Sequence, residues 1–265
     1  MTLLGHDRYC KEIGRQIEQL RAVVTSGAEL SATVPTCPEW SLEDLVRHTG
    51  GALRWAEYMV RTRAREEVPE ERVPGGAGPG GEGDPAALDA WLAETGRMLD
   101  ATLRAAGPDT GVWTWSWAHT SGFWARRMTH ELVVHRADAT LAAGLPYQVT
   151  PEVAVDAVDE WLEIVEFVQR TEPDDQVNEL RGTGRSIHLH ATDAPDALNA
   201  EWLVELTGDG VRWRRGHEKA GVALRGPLTE VLLAFYRRLP PDGGRLEVLG
   251  DRELLDFWLE RASFG

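Results

Sequence analysis

The strongest constraint in this chain is a helical period that runs through its first 150 residues and then gives way to a different pattern. Cys10, Ile13, Ile17, Leu20 and Val24 recur at three- and four-residue steps over roughly residues 3–28, which places them on one helical face. The stretch TVPTCPEW follows, where Pro35 and Pro38 forbid helix continuation. Ser41 is suited to cap a second helix: Asp44 stands three residues on as an imperfect capping-box partner, and Trp40 can staple onto Leu45. Leu42, Leu45, Val46, Leu53, Ala56 and Met59 carry the apolar stripe to about residue 64, and His48 lies along it with its ring expected to point inward or nearly so. Gly50 and Gly51 in mid-helix cost about 1 kcal/mol each against alanine, so another element is expected to approach closely there.

Residues 66–84, EEVPEERVPGGAGPGGEGD, read as a mobile Pro/Gly/Glu linker. Asp84 and Pro85 then start a third helix whose buried side is Leu88, Trp91, Leu92, Met98, Leu99 and Leu103. The Trp-rich turn GVWTWSWAH leads into a fourth helix from about Ser121 to Ala143, stopped by Gly144 and Pro146. Four long amphipathic helices predict a four-helix bundle over residues 1–150 with a long loop between the second and third helices. Beyond Pro151, one helix over about 151–170 precedes strand-like runs at SIHLHATD, EWLVELTG, GVRWRRG and VALRG. A helix at LTEVLLAFYRRL, a strand LEVLG and a helix DRELLDFWLERA follow. The fold class is therefore α+β, with a smaller α/β domain over 151–265. No internal repeat is found.

Composition narrows the function classes. At 265 residues the chain can bury a real core without staples, and two cysteines cannot form a disulfide framework, which fits a reducing compartment. The segment MTLLGHDRYCKEIGRQIEQL lacks the apolar core of a signal peptide, and no run reaches the roughly 20 apolar residues of a membrane span. A cytoplasmic protein is expected. The formal charge of −15 argues against nucleic acid or anionic lipid as partner. A small anionic substrate would need a local arginine pocket. Nucleotide, hydrolase-triad and dithiol chemistry lose most of their support, because no GxGxxG between strand and helix, GxxxxGK[ST], GxSxG or CxxC occurs.

The residues that can carry chemistry sit on the bundle. Glu131 and His135, four apart, share one face of the fourth helix, and helical bundles build metal sites from such inward pairs plus a ligand from a facing helix. His48 is the natural third ligand. Two imidazoles and one carboxylate suit zinc, and also nickel, iron or manganese, and three protein ligands leave one coordination position open. The plainer reading of the same residues is a surface ion pair and a hydrogen-bonded core histidine. His130 points about 100° away from Glu131 on a helical wheel and is read as supporting or structural. Arg127, four before Glu131, either pairs with that glutamate or binds an anionic substrate. His188 and His190 alternate on a strand and share a face, which can bind metal but reads more simply as a partly solvated strand face. Cys37, between two prolines and without an adjacent base, reads as a buried structural thiol.

VPTCPEWSLEDLVRHTGGALRWAEYM and FWARRMTHELVVHRADA resemble the two signature helices of the actinobacterial maleylpyruvate isomerase family. The C-terminal runs SIHLHATD, EWLVEL, VALRGPLTEVLLAFYRR and LEVLGDRELLDFWLE resemble that family's second domain, so the likeness spans nearly the whole chain apart from the Gly/Pro-rich linker. The resemblance implies a DinB-like bundle, an SCP2-like C-terminal α/β domain and dependence on mycothiol. It carries the family's metal ligands onto His48, Glu131 and His135. A late family arginine, counted from Gly226, falls on Arg238 with Arg237 beside it; against this, both read as a solvated helix end. The implied reaction adds a metal-activated thiolate to the cis double bond of maleylpyruvate, allows rotation, and expels the thiolate to give the trans isomer, while arginines such as Arg127 and Arg238 hold carboxylates and the developing enolate. The same thiolate would serve a mycothiol S-transferase acting on another electrophile, and a non-catalytic metal- or small-molecule-binding protein is the third reading. A monomer or homodimer is expected.

Overall fold

The computed structural model describes residues 4–182 and 184–263, which divide into two compact units, Met1–Tyr147 and Gln148–Gly265. No helix among the described residues is long and apolar enough to cross a membrane.

The first unit is a four-helix bundle of α1 (His6–Val24), α2 (Leu42–Thr62), α3 (Pro85–Ala106) and α4 (Ser121–Ala142). α1 and α2 lie diagonally, each packed between α3 and α4. Ile13, Ile17 and Leu20 of α1, Leu45 and Leu53 of α2, Leu92 and Leu99 of α3, and Trp124 and Leu132 of α4 are buried and fill one core. The expected starts of two helices are built as the sequence suggests. Ser41 Oγ accepts from Asp44 N–H while the Asp44 carboxylate accepts from Ser41 N–H, a complete capping box; Asp84 caps α3 ahead of Pro85. Close approach at Gly50 is also met. A Cβ there would lie 2.2 Å from the Trp91 ring, and one on Gly51 would lie 3.0 Å from Gly76 O.

Three features differ from the sequence expectation. The segment around Pro35 and Pro38 forms a two-stranded ladder, β1 (Thr33–Val34) and β2 (Cys37–Ser41), in which Cys37 is only half-buried. The Gly/Pro-rich connection is tied to the bundle rather than loose. Arg47 donates to the carbonyls of Ala77, Pro79 and Gly81, Gly83 N–H donates to Glu43, and the Trp55 and Trp91 indoles donate to Val68 O and Gly75 O. A chain with few apolar side chains of its own is thus held by polar groups of the bundle. Finally, α4 is not amphipathic: it is buried on nearly every side, including Arg127, Thr129, His130, Arg136 and Asp138. Several of its polar groups are paired inside the bundle, as where Arg136 Nε donates to Gln16 Oε1 at 2.5 Å.

The second unit begins with α5 (Pro151–Thr171) and contains a five-stranded mixed sheet in the order β5-β4-β3-β6-β7. Its strands are β3 (Ser186–Ala191), β4 (Glu201–Thr207), β5 (Gly210–Arg215), β6 (Val222–Gly226) and β7 (Glu247–Gly250). β3 and β6 run parallel and the remaining pairs antiparallel. α6 (Leu228–Phe235) lies in the connection from β6 to its antiparallel neighbour β7, and α7 (Arg252–Arg261) follows β7. Ile187, Leu189, Trp202, Val204 and Leu224 alternate onto one buried face, with α5 and α6 against the sheet. The α+β class, and each strand and helix expected beyond Pro151, is present.

Candidate metal centre

The fourth helix carries the sequence FWARRMTHELVVHRADA, and the helical repeat places Arg127, Glu131 and His135 in one row. Across from it, α2 delivers His48. Glu131 Oε1 lies 3.1 Å from His135 Nε2 and 3.6 Å from His48 Nε2, so both imidazoles aim a nitrogen at the same carboxylate oxygen. The two rings are 5.0 Å apart between centroids and nearly perpendicular. All three ligand atoms fall within 4.8 Å of one another. Tetrahedral donors at about 2.0–2.1 Å from an ion stand about 3.3 Å apart, so small side-chain shifts would bring this set onto one ion.

His48 is not inward-facing. Its side chain is 43% exposed, against 20% for Glu131 and 13% for His135. The buried stripe of α2 runs through Leu45, Val46, Thr49 and Leu53, and His48 falls on its flank, covered on one side by Trp40 at 4.7 Å between ring centroids. The cluster therefore lies at the rim of the bundle, accessible on the His48 side.

Two neighbours complete the site, and one was missed from the sequence. Asp138 is fully buried; its Oδ2 lies 3.1 Å from His135 Nδ1, while Oδ1 accepts from Thr36 Oγ1 at 2.5 Å. The turn between β1 and β2 thus supplies the hydroxyl that orients Asp138. The signal was available: a carboxylate three residues after His135 on a helix shares its side. The second neighbour is Arg127, whose Nη2 lies 3.3 Å from Glu131 Oε2, the pairing alternative of the two considered.

The charges are coupled. Burial alone would raise the Glu131 carboxyl, but His135, then His48 and Arg127, hold it well below the usual carboxylate range. Burial alone would lower His135, but Glu131 and Asp138 outweigh it and raise the imidazole to about 9. A dense negative field around two imidazoles is what a divalent cation would neutralise.

The remaining candidates lie on other elements or in other contacts. His130 is buried beside the Tyr9 ring at 6.4 Å and is not part of the cluster. Arg237 and Arg238 follow α6 in the second unit. Arg237 takes a left-handed backbone (φ 64°), and Arg238 Nη1 donates to Tyr236 O at 2.8 Å. Cys37 packs against the bundle core.

Comparison with known proteins gives a consistent family. The mycothiol maleylpyruvate isomerase N-terminal domain matches residues 10–140, and the MDMPI C-terminal domain matches residues 152–257. A search of curated proteins gives no significant match. Two crystal structures, of mycothiol-dependent maleylpyruvate isomerase and of its histidine-to-alanine mutant, align over 94% of this chain and 95% of theirs. Identities are 15% and 13% and TM-scores 0.56 and 0.55. At that identity the likeness is one of fold.

Proposed function

Because this chain belongs to the mycothiol maleylpyruvate isomerase family, we propose that it is a metal- and mycothiol-dependent enzyme that converts a maleylpyruvate-like cis substrate to its trans isomer. The proposed ligands are His48, Glu131 and His135. The observation that carries this reading is the convergence of His48 and His135 nitrogens on one Glu131 oxygen, with His135 backed by a buried carboxylate.

The donor set fits a divalent ion of the zinc type, which when bound by three protein ligands supplies an open position where a thiol loses its proton near neutral pH. The chain's own residues do the positioning. Asp138 accepts from His135 Nδ1–H and so leaves the Nε2 lone pair, on the Glu131 side, free to ligate a metal. Arg127 holds Glu131 Oε2, turning Oε1 toward the two imidazoles. Trp40 shields one side of His48 from water. Arg238 is proposed, following the family resemblance, as a group that neutralises a substrate carboxylate and the enolate charge that develops as the double bond is opened.

The test uses tag-free protein offered mycothiol with maleylpyruvate, and separately with monobromobimane as a generic electrophile. Thiol-dependent isomerisation that disappears in a His48→Ala, His135→Ala variant, together with the loss of one equivalent of metal from that variant, is the expected result. Undiminished turnover in that variant sinks the ligand assignment. Thiol consumption with the bimane alone would move the protein to thiol transfer.

A further inference from the structure

A second convergence of metal-binding groups lies in the other unit, on the sheet face opposite the one that packs on α5 and α6. His188 and His190 are two residues apart on β3 and share that face, and Glu201 on β4 is the cross-strand partner of His190. The chain leaves β5 at Arg215, and Gly216 N–H donates to Glu201 O at 3.0 Å, which pins the following residue, His217, beside the same carboxylate. His188 Nε2 and His190 Nδ1 each lie 2.9 Å from Glu201 Oε2, and His217 Nδ1 lies 2.6 Å from that same atom.

The three rings form a nearly equilateral tripod. Their centroids are 5.5, 5.2 and 5.5 Å apart, with planes at 74–88° to one another. A carboxylate oxygen has two in-plane lone pairs, so three imidazole nitrogens directed at one oxygen exceed what hydrogen bonding alone accounts for. Neighbouring cations are engaged elsewhere. Arg225, the register partner of His190 on β6, pairs with Glu247 at 2.7 Å, and Arg214, opposite Leu203, pairs with Glu205 and Glu218. Side-chain exposure grades from 7% at His188 through 22–23% at His190 and Glu201 to 73% at His217, so the point of convergence is rooted in the sheet and open to solvent at one end.

The geometry points to a second divalent transition-metal site, with His188, His190 and His217 as imidazole ligands and Glu201 as the carboxylate ligand, in the second unit and independent of His48, Glu131 and His135. Three nitrogens and one oxygen suit zinc, with cobalt and nickel as competent substitutes. Four protein donors leave no open position, so the ion's task is structural: it clips the segment after β5 onto the β3–β4 ladder.

The experiment uses the full-length, tag-free chain stripped with a chelator and titrated with zinc alone, then with cobalt alone. The expected wild-type stoichiometry is two equivalents. A His48→Ala, Glu131→Gln, His135→Ala variant should keep one, and its cobalt form should show the intense visible bands of tetrahedral ligation. Adding His190→Ala and His217→Ala, which spares the buried His188, should drop that residual to below about a tenth of an equivalent. The His190→Ala, His217→Ala variant with the bundle site intact should still bind one equivalent, which shows that the chain remains folded. A wild-type chain that binds one equivalent, lost with His48, Glu131 and His135, overturns the site; so does a residual equivalent that survives His190→Ala and His217→Ala.

Discussion

Asp138 Oδ2 stands 3.1 Å from His135 Nδ1, one helical turn back on α4, and this buried carboxylate is itself held by Thr36 from the β1–β2 turn. A carboxylate behind a ligating imidazole fixes its tautomer and raises its basicity. Asp138→Asn should therefore weaken zinc binding at the bundle site by about 10- to 100-fold without changing its stoichiometry. Competition against a chromophoric chelator measures this. An unchanged affinity would show that His135 is not a ligand or that Asp138 does not act on it.

Gly50 and Gly14 should respond to alanine with opposite signs. A Cβ on Gly50 would meet Trp91 at 2.2 Å, and that indole is anchored to Gly75 O, so Gly50→Ala should destabilise the protein by about 1–3 kcal/mol. Gly14 sits in the middle of α1 with nothing within 4 Å of its would-be Cβ, so Gly14→Ala should stabilise by about 0.4–1 kcal/mol. Urea midpoints of the two variants decide the matter.

Glu12 is fully buried and accepts hydrogen bonds from Arg8, Arg15 and Gln16, and Gln16 in turn accepts from Arg136. Burial by itself would raise its carboxyl, but Arg15, Gln16 and Arg8 lower it below its ordinary value. A folded-state value below the unfolded one means the contribution is complete above the unfolded pKa of about 4.3 and is lost as pH falls through the folded value. Glu12→Gln should cost about 2 kcal/mol at pH 7 and progressively less below about pH 4. Denaturant titrations at pH 7, 5 and 3.5 read the convergence of the two chains; parallel curves would remove Glu12 from the acid response.

Arg47 donates to the carbonyls of three alternate residues of the Gly/Pro-rich connection, Ala77, Pro79 and Gly81, while paired with Glu43. Arg47→Ala should free that connection, raising amide exchange across residues 75–83 by about tenfold or more while α2 stays protected. Exchange mass spectrometry gives the comparison, and unchanged protection would mean that the indole bonds of Trp55 and Trp91 hold the segment without Arg47.

Much of this protein can be read along the chain, because local rules act over three or four residues. Ser41 with Asp44, Asp84 with Pro85, the periodic leucines of three helices and the alternation in SIHLHATD and EWLVEL each declare an element and its buried side. Glu131 and His135 follow the same logic, since four residues on a helix is a fixed separation in space. What the chain could not declare is anything set by a partner distant in sequence. The polar residues of α4 look like a solvated face until the neighbours that enclose them are known. The 66–84 segment looks loose until Arg47, Trp55 and Trp91 reach its carbonyls. His48 shares the period of the α2 stripe yet sits on its flank, because a difference of tens of degrees about a helix axis depends on how the bundle packs. Thr36 meets Asp138 only because the β1–β2 turn packs against α4, and His217 joins His188, His190 and Glu201 only because the chain leaving β5 is tied to Glu201 by the Gly216 N–H. Periodicity encodes which side of an element is buried; which side chains then meet depends on backbone packing and on closing loops that bring residues tens of positions apart within a few ångströms.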